Sequence, residues 1–115
     1  MMMELFGQLN ISKMSNHSEL ALSNFLDRHN VSLLAVQETG HWTPTLSLFD
    51  KYLICQNTTQ PTSMLSGVAL IIDKKFKPEI VDSLNSDKVD TVWCQIYLNG
   101  QRHLIRPLPY RERAC

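Results

Sequence analysis

The sequence predicts a mixed α/β fold in which a strand-helix-strand unit is followed by antiparallel strands. Two observations support this prediction. The first third of the chain alternates a strand-like run, an amphipathic helical run and a second, mostly apolar run. From Gly67 onward, short β-rich runs follow one another and are separated by turn-forming residues. With 115 residues, of which 43% are hydrophobic, the chain has the length of one domain, and a second domain does not fit.

The strand-helix-strand unit is predicted from local patterns. Residues 4–11 have the composition of a strand. A helix is predicted to begin with Asn16 as its N-cap and Glu19 as the capping-box partner, and to continue through Asp27. Residues 31–36 then form a short apolar run, which is typical of a strand that is buried on both faces.

This unit points to one edge of the sheet as the place for a site. Strands joined by a helical crossover normally pair in parallel, so both strands end at the same edge, where open α/β proteins bind ligands. Glu38 follows the second strand directly, within Gln37-Glu38-Thr39. We therefore expect an acidic side chain at this edge. The alternative is a solvated acid in a strand-to-loop turn.

The rest of the chain is predicted to be mainly strands. A helical turn is expected at residues 48–49, and Asp73-Lys74-Lys75 is expected to form a turn between strands. Four runs have the composition of strands: residues 52–55, 68–72, 79–83 and 89–98. Asn99-Gly100 precedes a further strand at residues 102–105, and this dipeptide favours a two-residue type I′ hairpin.

Composition argues against several classes of protein. The 11 Lys plus Arg residues balance 11 Asp plus Glu residues, so binding to a nucleic acid has to depend on local features. Cys55, Cys94 and Cys115 are odd in number and lack Cys-x-x-Cys spacing, so we expect reduced thiols and neither a disulfide framework nor a zinc site. The sequence has no signal-peptide pattern and no membrane-length apolar run. We expect a soluble intracellular protein, nuclear or cytoplasmic, that is not secreted and has no membrane partner.

Three short motifs occur in a particular order. They are QLNISK at residues 8–13, Gln37-Glu38-Thr39 after the second strand, and SGVALII at residues 66–72, before the paired antiparallel strands. This ordered set resembles the endonuclease/exonuclease/phosphatase superfamily, and in particular its non-LTR retrotransposon branch. The resemblance extends over most of residues 5–105. It implies a partial four-layer α/β sandwich, with residues 1–115 forming a single partial domain that lacks the C-terminal half.

The resemblance also implies a magnesium or manganese site. In this superfamily the Glu after the second strand binds a divalent metal, and the Asn of the first strand contacts the metal site or the scissile phosphate. Glu38 and Asn10 match these positions. Carboxylate oxygen suits a hard cation, and a carboxamide can donate a hydrogen bond to a phosphate oxygen without adding negative charge. Asn10 could equally be a turn-former that ends its strand.

Three more residues are candidates for the same site. Tyr110 matches a Tyr-Arg-Glu pattern that the superfamily places after its hairpin strand, although residues 106–109 replace the usual apolar strand with RPLP. His41 and Trp42 come shortly after Glu38 and could line a substrate groove, with the indole stacking on a base. The alternative is that both are packing residues.

The expected activity is hydrolysis of phosphodiester bonds in DNA, as part of a retrotransposon endonuclease. The superfamily's second half supplies an Asp-x-Asn motif and a Ser-Asp-His motif, and neither occurs in this sequence. Without them positioned proton transfer is lost, so we expect a poor nuclease or none from this chain alone. The alternative is a non-catalytic remnant, or a truncated fragment that associates with a complementary chain. The sequence leaves RNA and phospholipid open as substrates.

Overall fold

The computed structural model describes residues 5–11, 14–40, 42–46, 50–56, 67–81 and 91–107. Within these ranges the chain forms one α-helix and seven strands, which are arranged in two sheets. In chain order the elements are β1 (Leu5–Asn10), α1 (Asn16–His29), β2 (Val31–Gln37), β3 (Tyr52–Gln56), β4 (Val68–Asp73), a 3₁₀ helix (Lys74–Phe76), β5 (Glu79–Ile80), β6 (Cys94–Leu98) and β7 (Gln101–Ile105). The predicted mixed α/β class is confirmed at this level.

The first sheet has four described strands in the order β1-β2-β4-β3. β1 and β2 are parallel, as the strand-helix-strand unit predicted, and β4 is antiparallel to both β2 and β3. The register places Gln37 beside Asn10 on one side and beside Val68 on the other. The central strands β2 and β4 are buried along almost their whole length, which confirms the prediction for β2.

The second sheet consists of antiparallel strands in the order β5-β6-β7. β6 and β7 are joined by Asn99 and Gly100, whose φ angles of 52° and 78° are those expected of the predicted hairpin turn. The turn predicted at residues 73–75 is present as a short 3₁₀ helix between β4 and β5, and the side chain of Asp73, its N-cap, accepts a hydrogen bond from the Lys75 amide at 2.9 Å.

Each face of the four-stranded sheet is covered by a different partner. Along β4, Ile71 belongs to the cluster on the helix side and Leu70 to the cluster on the opposite side, as strand alternation requires. The helix-side cluster includes Leu22, Leu26, Val31, Leu34, Val36 and Ile71. The opposite cluster includes Ala35, Cys55, Leu70, Ile72, Cys94 and Ile96. The described residues therefore stack as helix, four-stranded sheet and three-stranded sheet.

The helix does not begin with the predicted cap. Ser15 is the N-cap, and its Oγ accepts a hydrogen bond from the amide of Ser18 at 3.2 Å. In return, the amide of Ser15 donates to Oγ of Ser18 at 3.4 Å. The prediction of Asn16 as the N-cap and Glu19 as its box partner is therefore wrong, because two serines already form the capping box. The helix continues beyond the predicted end and stops before Asn30, which has a left-handed backbone with φ of 50°.

Two further predictions concern membrane-spanning helices and the state of the cysteines. In the part of the chain that the structure describes, no helix has both the length and the apolar composition that a membrane crossing requires. Cys55 and Cys94 are free and buried, as expected of reduced thiols. Cys115 and the helical turn predicted at residues 48–49 lie outside the described residues.

Candidate functional site

The candidate site lies where β1 and β2 end side by side. Asn10 is the last residue of β1, and its partner across the parallel pair is Gln37, the last residue of β2. Glu38 follows Gln37 directly. The backbones of Asn10 and Glu38 therefore reach the same edge of the sheet at neighbouring strand ends. The structure describes the backbone of Asn10 but not its side chain.

Glu38 combines a buried side chain with an uncommon backbone conformation. The residue is 5% exposed, so it is not the solvated acid that the sequence left open. Its φ angle is 57°, in the left-handed region that residues other than glycine rarely adopt. Such a conformation costs on the order of 1 kcal/mol and is found disproportionately at binding and catalytic sites. This combination makes Glu38 the strongest site candidate in the described residues.

Main-chain hydrogen bonds hold the segment that follows β2. The amide of Ile11 donates to the carbonyl of Gln37 at 3.1 Å. Thr39 accepts a hydrogen bond from the amide of Met14 at 3.0 Å and donates its own amide to the carbonyl of Gly67 at 3.1 Å. The chain on both sides of Glu38 is thus tied to the segments that follow β1 and precede β4.

Gly67 approaches this segment too closely to carry a side chain. Its φ angle is +101°, and a Cβ atom would lie 2.6 Å from Oγ1 of Thr39 and 2.9 Å from the carbonyl oxygen of Gly40. Contacts this short do not occur for real Cβ atoms. Glycine therefore allows β4 to begin beside the Glu38 segment, which gives a physical reason for the glycine in the SGVALII motif.

A buried carboxylate on α1 holds the next part of the chain. Glu19 is 2% exposed. Its Oε2 accepts a hydrogen bond from Nε1 of Trp42 at 3.3 Å. Its Oε1 accepts hydrogen bonds from the amides of Thr45 and Leu46 at 2.6 and 3.0 Å and from Oγ1 of Thr45 at 3.1 Å. Burial raises the pKa of Glu19, but the hydrogen bonds from Thr45, Leu46 and Trp42 outweigh it, so the pKa lies below its ordinary value of 4.5.

Trp42 is placed in the core by these contacts. It is 7% exposed and belongs to the cluster between α1 and the four-stranded sheet. Its carbonyl accepts a hydrogen bond from Nε2 of Gln56 at 3.1 Å. This is the packing role that the sequence left open beside the groove role, and the stacking of a base on Trp42 stays a prediction. His41 and Tyr110 lie outside the described residues, so their proposed roles also stay predictions.

The carboxylate of Glu38 is chemically suited to a divalent cation. Within the described ranges, no group of three or more His, Cys, Asp or Glu residues gathers closely enough to hold an ion. Mg²⁺ is commonly bound by one or two carboxylates and keeps several waters. Glu38 provides one such carboxylate. Asp73 is also buried, but it lies at the opposite end of β4, with Lys51 Nζ at 3.6 Å. The donor chemistry therefore fits a partial oxygen site at Glu38.

No model of a known protein family matches this chain, and no curated protein matches it significantly.

Proposed function

We propose that this chain is a fragment of a divalent-metal-dependent phosphodiesterase, of the kind found in retrotransposon DNA endonucleases, and that Glu38 is a metal-binding carboxylate. The observation that carries the proposal is the position of Glu38, which is buried directly after β2 and beside the end of β1. Its left-handed backbone adds support, because a strained conformation is retained where the surrounding structure fixes it. The superfamily that the sequence resembles places its metal-binding Glu after the second strand.

In the proposed hydrolysis of a phosphodiester bond, Glu38 and Asn10 have different roles. Glu38 would bind Mg²⁺ or Mn²⁺ through a carboxylate oxygen, and the carboxamide of Asn10 would donate a hydrogen bond to a phosphate oxygen of DNA. The cation's contribution, when bound, is to stabilise negative charge on the phosphate during hydrolysis. Because the sequence contains neither Asp-x-Asn nor Ser-Asp-His, we expect little or no cleavage of DNA by this chain alone.

Metal binding at Glu38 is tested by measuring thermal unfolding and calorimetric binding at increasing Mg²⁺ and Mn²⁺. The proteins compared are the wild type, Glu38→Gln and the control Glu79→Gln, which removes an exposed acid from β5 in the other sheet. Both ions should raise the unfolding temperature of the wild type and of Glu79→Gln but not that of Glu38→Gln. If no protein binds the ions, or if Glu38→Gln responds like the wild type, the metal assignment is wrong.

A second candidate function is association with a complementary chain along β1. Among the described strands β1 lies at one end of its sheet, and its Phe6 and Leu9 are 48% and 42% exposed. Its sequence, LFGQLN, contains no charged residue and no proline. Proteins normally use charged residues and prolines to prevent an edge strand from pairing with another chain. β7, at an end of the other sheet, carries Arg102 and His103.

An apolar cleft continues from the β1 edge to α1. It has a volume of about 490 Å³, and its lining includes Leu9 of β1 and Ala21 and Phe25 of α1. No charged residue is present among the described residues that line it. A partner that presented an extended apolar strand would extend the sheet and fill the cleft together.

Association along β1 is tested by sedimentation of the wild type, Leu9→Lys and Leu104→Lys. Leu104 is the matched control, because it is 48% exposed and lies on β7, away from the cleft. We expect the wild type and Leu104→Lys to self-associate or aggregate and Leu9→Lys to do so much less. A monomeric wild type with cooperative unfolding would contradict this candidate, as would equal effects of the two substitutions.

A further inference from the structure

Two buried thiols meet where the two sheets pack together. Cys55 lies in β3 of the four-stranded sheet, and Cys94 begins β6 of the three-stranded sheet. Both residues are 0% exposed, and both belong to the apolar cluster between the sheets. Neither forms a disulfide, and a hydrogen bond between the two side chains shifts the pKa of both thiols. The contact therefore joins the two sheets through a pair of reduced sulfur atoms.

We propose that Cys55 and Cys94 form a redox-active dithiol, which a small disulfide such as oxidised glutathione converts into a disulfide that links the two sheets. A disulfide requires its sulfur atoms to approach to about 2 Å. Cys55 and Cys94 come from opposite sheets, are both buried in the same cluster and interact through their side chains, so closing the remaining gap needs no rearrangement of the strands. The two thiols lie among apolar side chains such as Leu70 and Ile96, which offer sulfur no hydrogen bond.

The hydrogen bond gives the two sulfur atoms different roles. The hydrogen bond from Cys94 lowers the pKa of Cys55, and this effect outweighs burial, which acts in the opposite direction. The same hydrogen bond and burial raise the pKa of Cys94. Because the thiolate is the nucleophile in thiol–disulfide exchange, Cys55 is the sulfur that attacks first.

The exchange balances in two steps. The thiolate of Cys55 attacks one sulfur of oxidised glutathione, which forms a mixed disulfide and releases one glutathione thiolate that takes up a proton. Cys94 then loses its proton and attacks Sγ of Cys55, which releases the second glutathione. The protein loses two electrons and two protons, and one oxidised glutathione becomes two reduced molecules. β3 lies at one end of its sheet among the described strands, so local opening of this strand would give the oxidant access to Cys55.

The test uses the full chain with Cys115→Ser, which leaves Cys55 and Cys94 as its two cysteines. This protein is equilibrated with oxidised and reduced glutathione at graded ratios, and each sample is alkylated for intact-mass measurement and peptide mapping. We expect a monomer that has lost two hydrogen atoms and contains one peptide pair joined through Cys55 and Cys94. The cross-link restricts the unfolded chain, so the unfolding temperature should rise by at least about 5 °C.

Two variants supply the controls. Cys55→Ser and Cys94→Ser, each combined with Cys115→Ser, retain one thiol, so neither should lose two hydrogen atoms or gain stability. If a variant fails to fold, peptide mapping of the Cys115→Ser protein still decides the question. The proposal is overturned if both thiols stay reduced under oxidising ratios, if oxidation stops at glutathione adducts, or if the disulfides formed are between molecules.

Discussion

The carboxylate of Glu19 on α1 accepts a hydrogen bond from the indole Nε1 of Trp42 at 3.3 Å. The same carboxylate accepts hydrogen bonds from the amides of Thr45 and Leu46, in a segment that has no regular secondary structure. The Glu19 side chain thus accepts the backbone hydrogen bonds that carbonyl groups accept in regular secondary structure. Because Trp42 comes shortly after Glu38, this contact fixes the chain just beyond the candidate site.

Replacing Glu19 with alanine should lower the free energy of unfolding by about 3 kcal/mol, because the buried indole N–H of Trp42 and the partly buried amides of Thr45 and Leu46 lose their acceptor. Urea unfolding followed by tryptophan fluorescence measures this loss. Glu79→Ala is the control, since Glu79 is exposed, and should change stability by less than about 0.5 kcal/mol. Equal losses in the two variants would show that the Glu19 hydrogen bonds do not hold the segment.

The stability that Glu19 contributes should disappear in acid. Its pKa in the folded protein lies below the ordinary value of 4.5, so the unfolded chain takes up this proton first as the pH falls. The contribution is therefore complete above the unfolded pKa and is lost as the pH falls through the folded pKa. Urea unfolding from neutral pH into acid, for the wild type and for Glu19→Gln, measures it. The stability difference between the two proteins should shrink in acid, and a difference that stays constant would contradict the lowered pKa.

Gly67→Ala should destabilise the protein by about 3 kcal/mol, because the new Cβ would collide with Thr39 and Gly40 and the backbone would be strained. Gly100→Ala separates these two causes. Gly100 also has a positive φ angle, of +78°, but a Cβ there would meet nothing within 4 Å. Its substitution should cost only about 1 kcal/mol. Chemical unfolding measures both costs, and equal values would show that Gly67 is not crowded by the Glu38 segment.

The sequence predicted the strands and turns whose formation depends on neighbouring residues in the chain. The apolar run at residues 31–36 is the buried strand β2, and Asn99-Gly100 forms the predicted hairpin. The position of Glu38 at the end of β2 also followed from the order of elements. Its burial and left-handed backbone did not, because both depend on segments that pack around it from elsewhere in the chain.

Contacts between distant segments explain what the sequence missed. Nothing in the helical pattern around Glu19 indicates that Trp42, which lies 23 residues later, donates a hydrogen bond to it. The glycine of the SGVALII motif likewise looked like part of a strand signature. The structure gives the reason for this glycine: Gly67 lies so close to Thr39 that a Cβ atom would not fit between them.

The wrong prediction of the N-cap of α1 can be tested directly by mutation. Asn16 is the N-cap that the sequence predicts, because Glu19 follows three residues later as a capping-box partner. In the structure the Glu19 carboxylate is bound to the segment at residues 42–46, and Ser15 pairs with Ser18 instead.

Ser15→Ala should therefore lower the free energy of unfolding by about 1 kcal/mol, because the amide of Ser18 loses its acceptor. Asn16 is the first residue of the helix and is exposed, so Asn16→Ala should be neutral or slightly stabilising, since alanine is the better helix former. Urea unfolding of the two variants measures the difference. If Asn16→Ala lowers the free energy of unfolding more than Ser15→Ala does, then Asn16 is the N-cap and the helix begins one residue later. The reason is that an N-cap side chain accepts a hydrogen bond from the first turn of the helix, and alanine cannot.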